Sequence, residues 1–440
     1  MNSADLNAYA WLRSVVDRNR GNEAAGIYSV CSANSWVLEA AMQQALEDNS
    51  GLCIESTSNQ VNQFGGYTGL TPPQFAEFVQ SMGRRAGYPV NRILLGSDHL
   101  GPYPWRQEPS APALSKACEL VRASVAAGYS KIHLDASMAC ADDAPNQPLA
   151  DEVIAHRAAV LCQAAEEARR ELPDDRSAPL YVIGTEVPVP GGEQEPGRAP
   201  AVTRVEDAQK TLESFHAAFL KLGLSGAWER VIGLVVQPGV EFGDCSVFEY
   251  DRRKAQHLSK CLPGAPALVY EAHSTDYQPP AALRQMVEDH FAILKVGPWL
   301  TFAFREAVFA LSDIEGEWLG RRRGVKLSRV SETLEQAMQS NPAHWKSYYH
   351  GDEREVGLAR RYSYSDRCRY YWPDASVERE LRLLIANLTG SPPPLTLLSQ
   401  YLPEEYDAVR AHQISNTPTE LIYARIRKIV RIYGAACGVR

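Results

Sequence analysis

Three places in the sequence set an ionisable group behind a short apolar run: Asp98-His99 after Arg92–Gly96, Glu186 after Leu180–Gly184, and Glu271-Ala272-His273 after Ala267–Tyr270. Two imidazoles and several carboxylates are a donor set for a divalent cation, zinc first among the candidates. His99 and His273 are the expected nitrogen ligands, with Glu186 or Gln237 as oxygen ligands and one position left for substrate. A cation so held polarises a substrate carbonyl and lets a weak carbon acid react near neutral pH. Asp98, adjacent to a ligand, is placed as general acid/base for a sugar hydroxyl, with Glu186 as the second carboxylate of the expected catalytic pair. A structural hydrogen-bonding pair is the plainer reading of a lone Asp-His dipeptide. The convergence of several such groups is what favours a site.

Further polar groups end the other runs: Asn34, Asp135 with Ser137, Ser274 and Lys295. The stretch Asn59-Gln60-Val61-Asn62-Gln63 concentrates amides, which both donate to and accept from hydroxyls and so suit a polyol. These residues, with Asn59 and Gln60 foremost, are the expected substrate contacts. Gly191-Gly192, in a Pro/Gly loop, would let backbone N–H groups approach an anion. His133 lies inside its run and reads as a satisfied buried histidine rather than a ligand. Arg367 and Arg369, in an aromatic-rich stretch, either reach an anion or form a packing seam.

Groups so far apart in sequence need a scaffold that gathers them. Eight apolar runs recur: Gly26–Cys31, Gly51–Glu55, Arg92–Gly96, Lys131–Leu134, Leu180–Gly184, Val231–Val236, Ala267–Tyr270 and Phe291–Val296. None shows clean polar alternation, so each reads as a strand buried on both faces. Helical spacing fills the gaps, with Thr71-Pro72 as an N-cap and first-turn proline. Eightfold strand–helix alternation predicts a (β/α)8 barrel, with a doubly wound sheet as the alternative. In a barrel the ends of all eight runs meet at one rim. The alternation stops near Arg323-Gly324, which predicts a barrel over residues 1–324 and a mainly helical subdomain over 325–440.

A 440-residue chain with 45% hydrophobic and 22% charged residues has the composition of a globular protein. A formal net charge of −8 argues against nucleic acid and anionic membranes as partners. Nine scattered cysteines without a C-x-x-C pair, and no secretory leader or spanning segment, point to the cytosol. No G-x-x-x-x-G-K-[ST] loop is present.

Longer motifs carry a family likeness. Ser29-Val-Cys-Ser-Ala-Asn34, Ser97-Asp-His-Leu-Gly-Pro102, Lys131-Ile-His-Leu-Asp-Ala-Ser-Met138, Tyr270-Glu-Ala-His-Ser-Thr-Asp-Tyr-Gln278 and Ser365-Asp-Arg-Cys-Arg-Tyr-Tyr-Trp372 together resemble the GatZ/KbaZ family. The likeness implies the Z subunit of a D-tagatose-1,6-bisphosphate aldolase. Such a subunit supports a smaller class II aldolase catalytic partner (GatY/KbaY-like) in hexitol and amino-sugar breakdown, with homo-oligomerisation left open. More distantly, Asp98-His99 and His273-Ser274 resemble the acid/base aspartate and zinc histidines of class II aldolases, and Glu186 with Gly191-Gly192 their fifth-strand elements. Gln237 stands where those enzymes have a middle zinc histidine, and Lys295-Val-Gly-Pro298 replaces a phosphate-binding element. An altered aldolase site could also serve an autonomous metal-dependent ketose C4 epimerase, since cleavage and re-addition on the opposite face invert C4. A tagatose 6-phosphate kinase ranks last for want of a phosphoryl-transfer motif, and a silent scaffold is the remaining alternative.

Overall fold

The computed structural model describes residues 7–144, 147–173, 177–186, 200–262, 264 and 266–439. Eight parallel strands close into a barrel: β1 (Ile27–Val30), β2 (Leu52–Thr57), β3 (Ile93–Leu100), β4 (Lys131–Leu134), β5 (Leu180–Ile183), β6 (Val231–Val235), β7 (Val269–Ala272) and β8 (Phe291–Val296). Each strand pairs with its neighbours in sequence and β8 pairs with β1, so the expected (β/α)8 topology is the observed one. β3 runs four residues past its expected end, which brings Asp98 and His99 inside the strand. A helix follows each strand, from Ser35–Glu47 after β1 to Pro298–Leu319 after β8. The expected start at Thr71-Pro72 is a capping box with Gln74.

The barrel interior changes character along its axis. At the strand beginnings Ile27, Cys53, Leu94, Leu180, Ile232, Val269 and Ile293 form an apolar layer, sealed by Leu12, Val15 and Val16 of the helix Ala8–Arg20. One step nearer the strand ends, Glu55, Lys131, Glu271 and Lys295 point inward, at most 4% exposed. Gly96 makes room for this layer, because a Cβ there would stand 2.9 Å from the Glu55 Cγ. β5 and β6 contribute only Val182 and Val235 beside it.

After Gly324 the chain is helical, with helices Val330–Ser340, Glu353–Tyr362, Ala375–Gly390, Leu395–Tyr401, Pro403–Arg410 and Pro418–Ala436. The last helix packs across Ser35–Glu47, Pro280–Glu288 and Pro298–Leu319. Its apolar side chains Leu421, Ile422, Ile426, Val430 and Tyr433 join the same hydrophobic cluster as the barrel helices. Tyr433 Oη donates to the Thr275 carbonyl at 2.7 Å, and the Gly26 N–H, leading into β1, donates to the Cys437 carbonyl at 3.0 Å. The short turn Arg367–Tyr370 lies against the first turn of Pro298–Leu319 and so reaches the barrel mouth. Among the described residues no helix is long and apolar enough to cross a membrane.

Candidate functional site

The inward charges form one network. Lys131 Nζ bridges Glu55 and Glu271, at 2.6 Å from each. Lys295 Nζ pairs with Glu55, with Asp98 at 3.0 Å and with Glu271 at 3.7 Å. Charges this deep persist only when paired, which explains how β2, β4, β7 and β8 tolerate them.

Above the network stand three imidazoles. The rings of His99 and His273 are 4.9 Å apart, and His133 is 5.3 Å from each. His99 reaches this place through a left-handed backbone, φ 50°, that breaks the β3–β4 register between Ser97 and Leu100. A non-glycine residue in that region is strained, and such strain collects at working sites. Gly101 then passes so close to the Asp135 carbonyl that a Cβ would stand 1.6 Å from it. His99 Nδ1 lies 2.8 Å from Asp135 Oδ2, and Ser137 donates to the other oxygen of that carboxylate at 2.6 Å. With its Nδ1 proton given to Asp135, His99 turns Nε2 toward Asp98, 3.6 Å away. His273 Nε2 lies 2.9 Å from Glu271 Oε1.

His133, read from the sequence as a satisfied buried residue, is a member of this cluster. Its Nδ1 lies 3.1 Å from the His99 backbone nitrogen and 3.4 Å from Asp98 Oδ1. A proton on Nδ1 would serve Asp98 and make Nε2 a ligand; a bare Nδ1 accepts the His99 N–H and makes Nε2 a donor. In both tautomers Nε2 is the atom left for an added group, since it has no partner although the residue is wholly buried.

Donor atoms of Asp98, His133, Glu271 and His273 all lie within 4.8 Å of one another. Four carboxylates (Glu55, Asp98, Asp135, Glu271) face two lysines (Lys131, Lys295), an excess of two negative charges that a protonated His99 reduces to one. That excess and the mixed imidazole–carboxylate donors fit a divalent cation. Burial lowers the His99 pKa, but Asp98 and Asp135 outweigh it and raise the imidazole to about 9. Burial would raise the Asp98 carboxyl, yet the surrounding histidines hold it well below the usual carboxylate range. Glu271 falls to about 2, as Lys131 and His273 overcome the same burial. Burial lowers the pKa of His273.

A cleft opens over the cluster, lined by Asp98, His99, His273, Ser274, Lys295, Asn59, Gln60 and Tyr67, with Arg369 and Tyr370 from the C-terminal segment. A side lobe continues past Arg369 to Ser32, Asn34 and Thr301. The structure therefore gathers Asp98, His99, His273, Ser274, Lys295, Asn59 and Gln60 at one mouth. Asn34 lines the lobe while capping its helix through Trp36 N–H at 2.9 Å. Asp135 and Ser137 sit behind His99. Glu186 and Gln237 are elsewhere: Glu186 is exposed and accepts from Thr203, and the Gln237 amide oxygen caps its own loop through Gly239 and Val240 N–H. Gly191 and Gly192 lie outside the described residues. Glu55 and Lys131 went unread in the sequence, where the only signal was a charge inside an apolar run.

A family model described as D-tagatose-1,6-bisphosphate aldolase subunit GatZ/KbaZ-like matches residues 12–438. The chain is 48% identical over 427 residues to the D-tagatose-1,6-bisphosphate aldolase subunit GatZ of Klebsiella pneumoniae subsp. pneumoniae, covering 97% of this chain and 99% of that one. Among solved structures, a protein of Sinorhizobium meliloti 1021 described as a probable tagatose 6 phosphate kinase superposes with a TM-score of 0.85 at 44% identity. The match covers 94% of this chain and 100% of that one.

Proposed function

The chain belongs to the GatZ/KbaZ-like family, and on that premise we propose that it is the Z component of a cytosolic class II D-tagatose-1,6-bisphosphate aldolase. It would support reversible cleavage of the ketose bisphosphate to glycerone phosphate and glyceraldehyde 3-phosphate beside a GatY/KbaY-like catalytic partner. The near full-length identity to GatZ carries this reading. Residues 1–324 form the site-bearing barrel in this proposal, and residues 325–440 a helical subdomain that supplies part of the mouth.

Within the mouth, Asn59 and Gln60 orient sugar hydroxyls through their amides, and Ser274 borders the same space. Asp98, which lines the cavity beside Lys295, would be the group that takes and returns a proton at a sugar hydroxyl. Asp135 fixes the His99 ring. His133 and His273, with Glu271, would hold a divalent cation such as zinc, which would supply Lewis-acid polarisation of the substrate carbonyl, while His99, the ligand expected from the sequence, stands beside this set with its Nε2 toward Asp98.

The decisive assay follows tagatose-1,6-bisphosphate cleavage by a class II catalytic subunit with and without this chain. Stimulation of rate or of catalytic-subunit lifetime is the expected result, and indifference to the chain would overturn the proposal. One observation favours a second reading. Asp98, His99 and His273 face the cavity intact, which a purely supportive subunit would not need. C4 epimerisation of free tagatose or fructose by the chain alone would establish an autonomous epimerase. Consumption of ATP dependent on tagatose 6-phosphate would instead establish the activity in the Sinorhizobium description.

A further inference from the structure

Arg305 packs on the Phe302 ring without a carboxylate among the described residues and away from the mouth, but the buried Arg157, Arg360 and Arg427 find carboxylates: Asp143 at 2.7 Å, and Glu335 and Glu420 at 2.5 Å. Arg367 and Arg369 do not. Among the described residues neither has a carboxylate within the 4.0 Å of an ion pair. Arg367, 3% exposed, lies over the Tyr348 ring at 3.2 Å and donates to Tyr370 Oη at 3.0 Å, while its Nε has no partner. Arg369 donates to the Ser365 and Asp366 carbonyls and to Tyr370 Oη. All of these acceptors are neutral. The two carboxylates whose fields reach Arg369 are otherwise engaged: Asp366 accepts from Thr301, and Asp276 from Gly297 N–H at 3.1 Å and Trp299 N–H at 2.8 Å.

Those last two bonds carry a second message. In (β/α)8 barrels a phosphate is often received by the loops after β7 and β8 and a helix N-terminus. Here Asp276, from the loop after β7, already fills the N-terminus of Pro298–Leu319 with the chain's own negative charge. An anionic substrate group entering this mouth is repelled from that helix end and drawn instead to the guanidinium of Arg369, which has no carboxylate of its own in ion-pair contact and lines both the main space and its side lobe.

We propose that Arg369, with Arg367 behind it, is the subsite for the phosphate monoester of the sugar bound at this mouth. The proposal rests on the mouth being a sugar site. It makes the C-terminal segment a specificity element: the barrel handles the carbonyl end of the ligand and the arginine turn selects for the phosphorylated end. Burial and the neighbouring Arg369 hold Arg367 down to about 10, whereas at Arg369 the fields of Tyr370, Tyr67 and Asp366 outweigh burial and keep the guanidinium firmly charged.

Calorimetric titration of the full-length chain with D-tagatose 6-phosphate, D-tagatose and inorganic phosphate tests it. The wild-type chain binds the phosphorylated sugar more tightly than the free one, and inorganic phosphate competes with it. Arg369→Met weakens tagatose 6-phosphate by roughly 30-fold, the worth of a charge-assisted pair, and leaves tagatose unchanged. Arg369→Lys recovers part of the loss and, with an unaltered thermal transition, answers the objection of misfolding. Equal affinities of the wild-type chain for both sugars, or equal losses for both in Arg369→Met, would overturn the subsite. Neither readout needs the catalytic partner. A chain that binds phosphate through Arg369 but never supports cleavage refutes the aldolase role alone, and one that supports cleavage with Arg369→Met unimpaired in binding refutes the subsite alone.

Discussion

Two charged layers lie stacked in this molecule, and they solve the same electrostatic problem in opposite ways. Inside the barrel, Lys131 and Lys295 are clasped by Glu55, Asp98 and Glu271 at distances down to 2.6 Å. A few residues above, Arg367 and Arg369 face aromatic rings, a phenol and backbone carbonyls. A buried ion pair whose members satisfy one another contributes a fixed shape and has little left for a ligand. A buried cation without its anion is costly to keep, and the cost is recovered only when the anion arrives. The contrast teaches which charges hold the barrel in form and which are held in reserve.

The sharpest way to break the comparison is to remove one cation from each layer. Lys131→Met leaves Glu55 and Glu271 with Lys295 as their one remaining lysine and should cost about 3–5 kcal/mol in urea unfolding of the metal-free chain. A loss below about 1 kcal/mol would mean the barrel layer is not the tight clasp described. Asp98 belongs to the clasp and also faces the cavity, so Asp98→Asn should act on function more than on folding. Any turnover measured with this chain should fall by roughly 100-fold while bound metal, read by atomic absorption, is retained.

Acid titration sharpens the upper layer. Burial raises the Asp366 carboxyl to about 6, above its unfolded value. The corresponding stability is fully present below the unfolded pKa and is lost as pH rises through 6. Asp366→Asn should therefore flatten this part of the pH profile between about 4 and 7, a change on the order of 1–2 kcal/mol visible in melting curves. An unchanged profile would remove Asp366 as a strained neighbour of the arginines. The smallest effect is expected for Arg367→Met, whose stability should stay within about 1 kcal/mol of wild type because no carboxylate is orphaned by the change. A penalty matching that of Lys131→Met would erase the distinction between the layers.

Much of the barrel was legible because a strand buried on both faces must be apolar throughout, and all eight apolar runs became its strands. Asp98, His99 and His273 could be read because they stand where apolar runs give out. Glu55 and Lys131 could not, since their meaning depends on facing each other across the barrel, 76 residues apart in sequence. His133 was set aside as an interior histidine, and only the register break at His99 reveals why it joins the cluster. Glu186 and Gln237 were expected at the rim by the rule that every strand end serves the mouth. β5 and β6 instead present valines inward, and the polar groups after them bond within their own loops. Arg369 was visible as an anion candidate, but no pattern in the sequence distinguishes a guanidinium that lacks a carboxylate from one that has it.

The hydroxyl of Tyr433 ties the last helix to the loop after β7. It grips the carbonyl of Thr275, whose own side chain holds the Lys295 carbonyl at 2.6 Å, so the segment carrying His273, Ser274 and Asp276 is tied to both β8 and Pro418–Ala436. The opposite side of that helix, around Arg431 and Ala435, faces solvent. Only two hydrogen bonds, through the backbone and side chain of Thr275, separate this helix from the backbone of the lysine in the clasp.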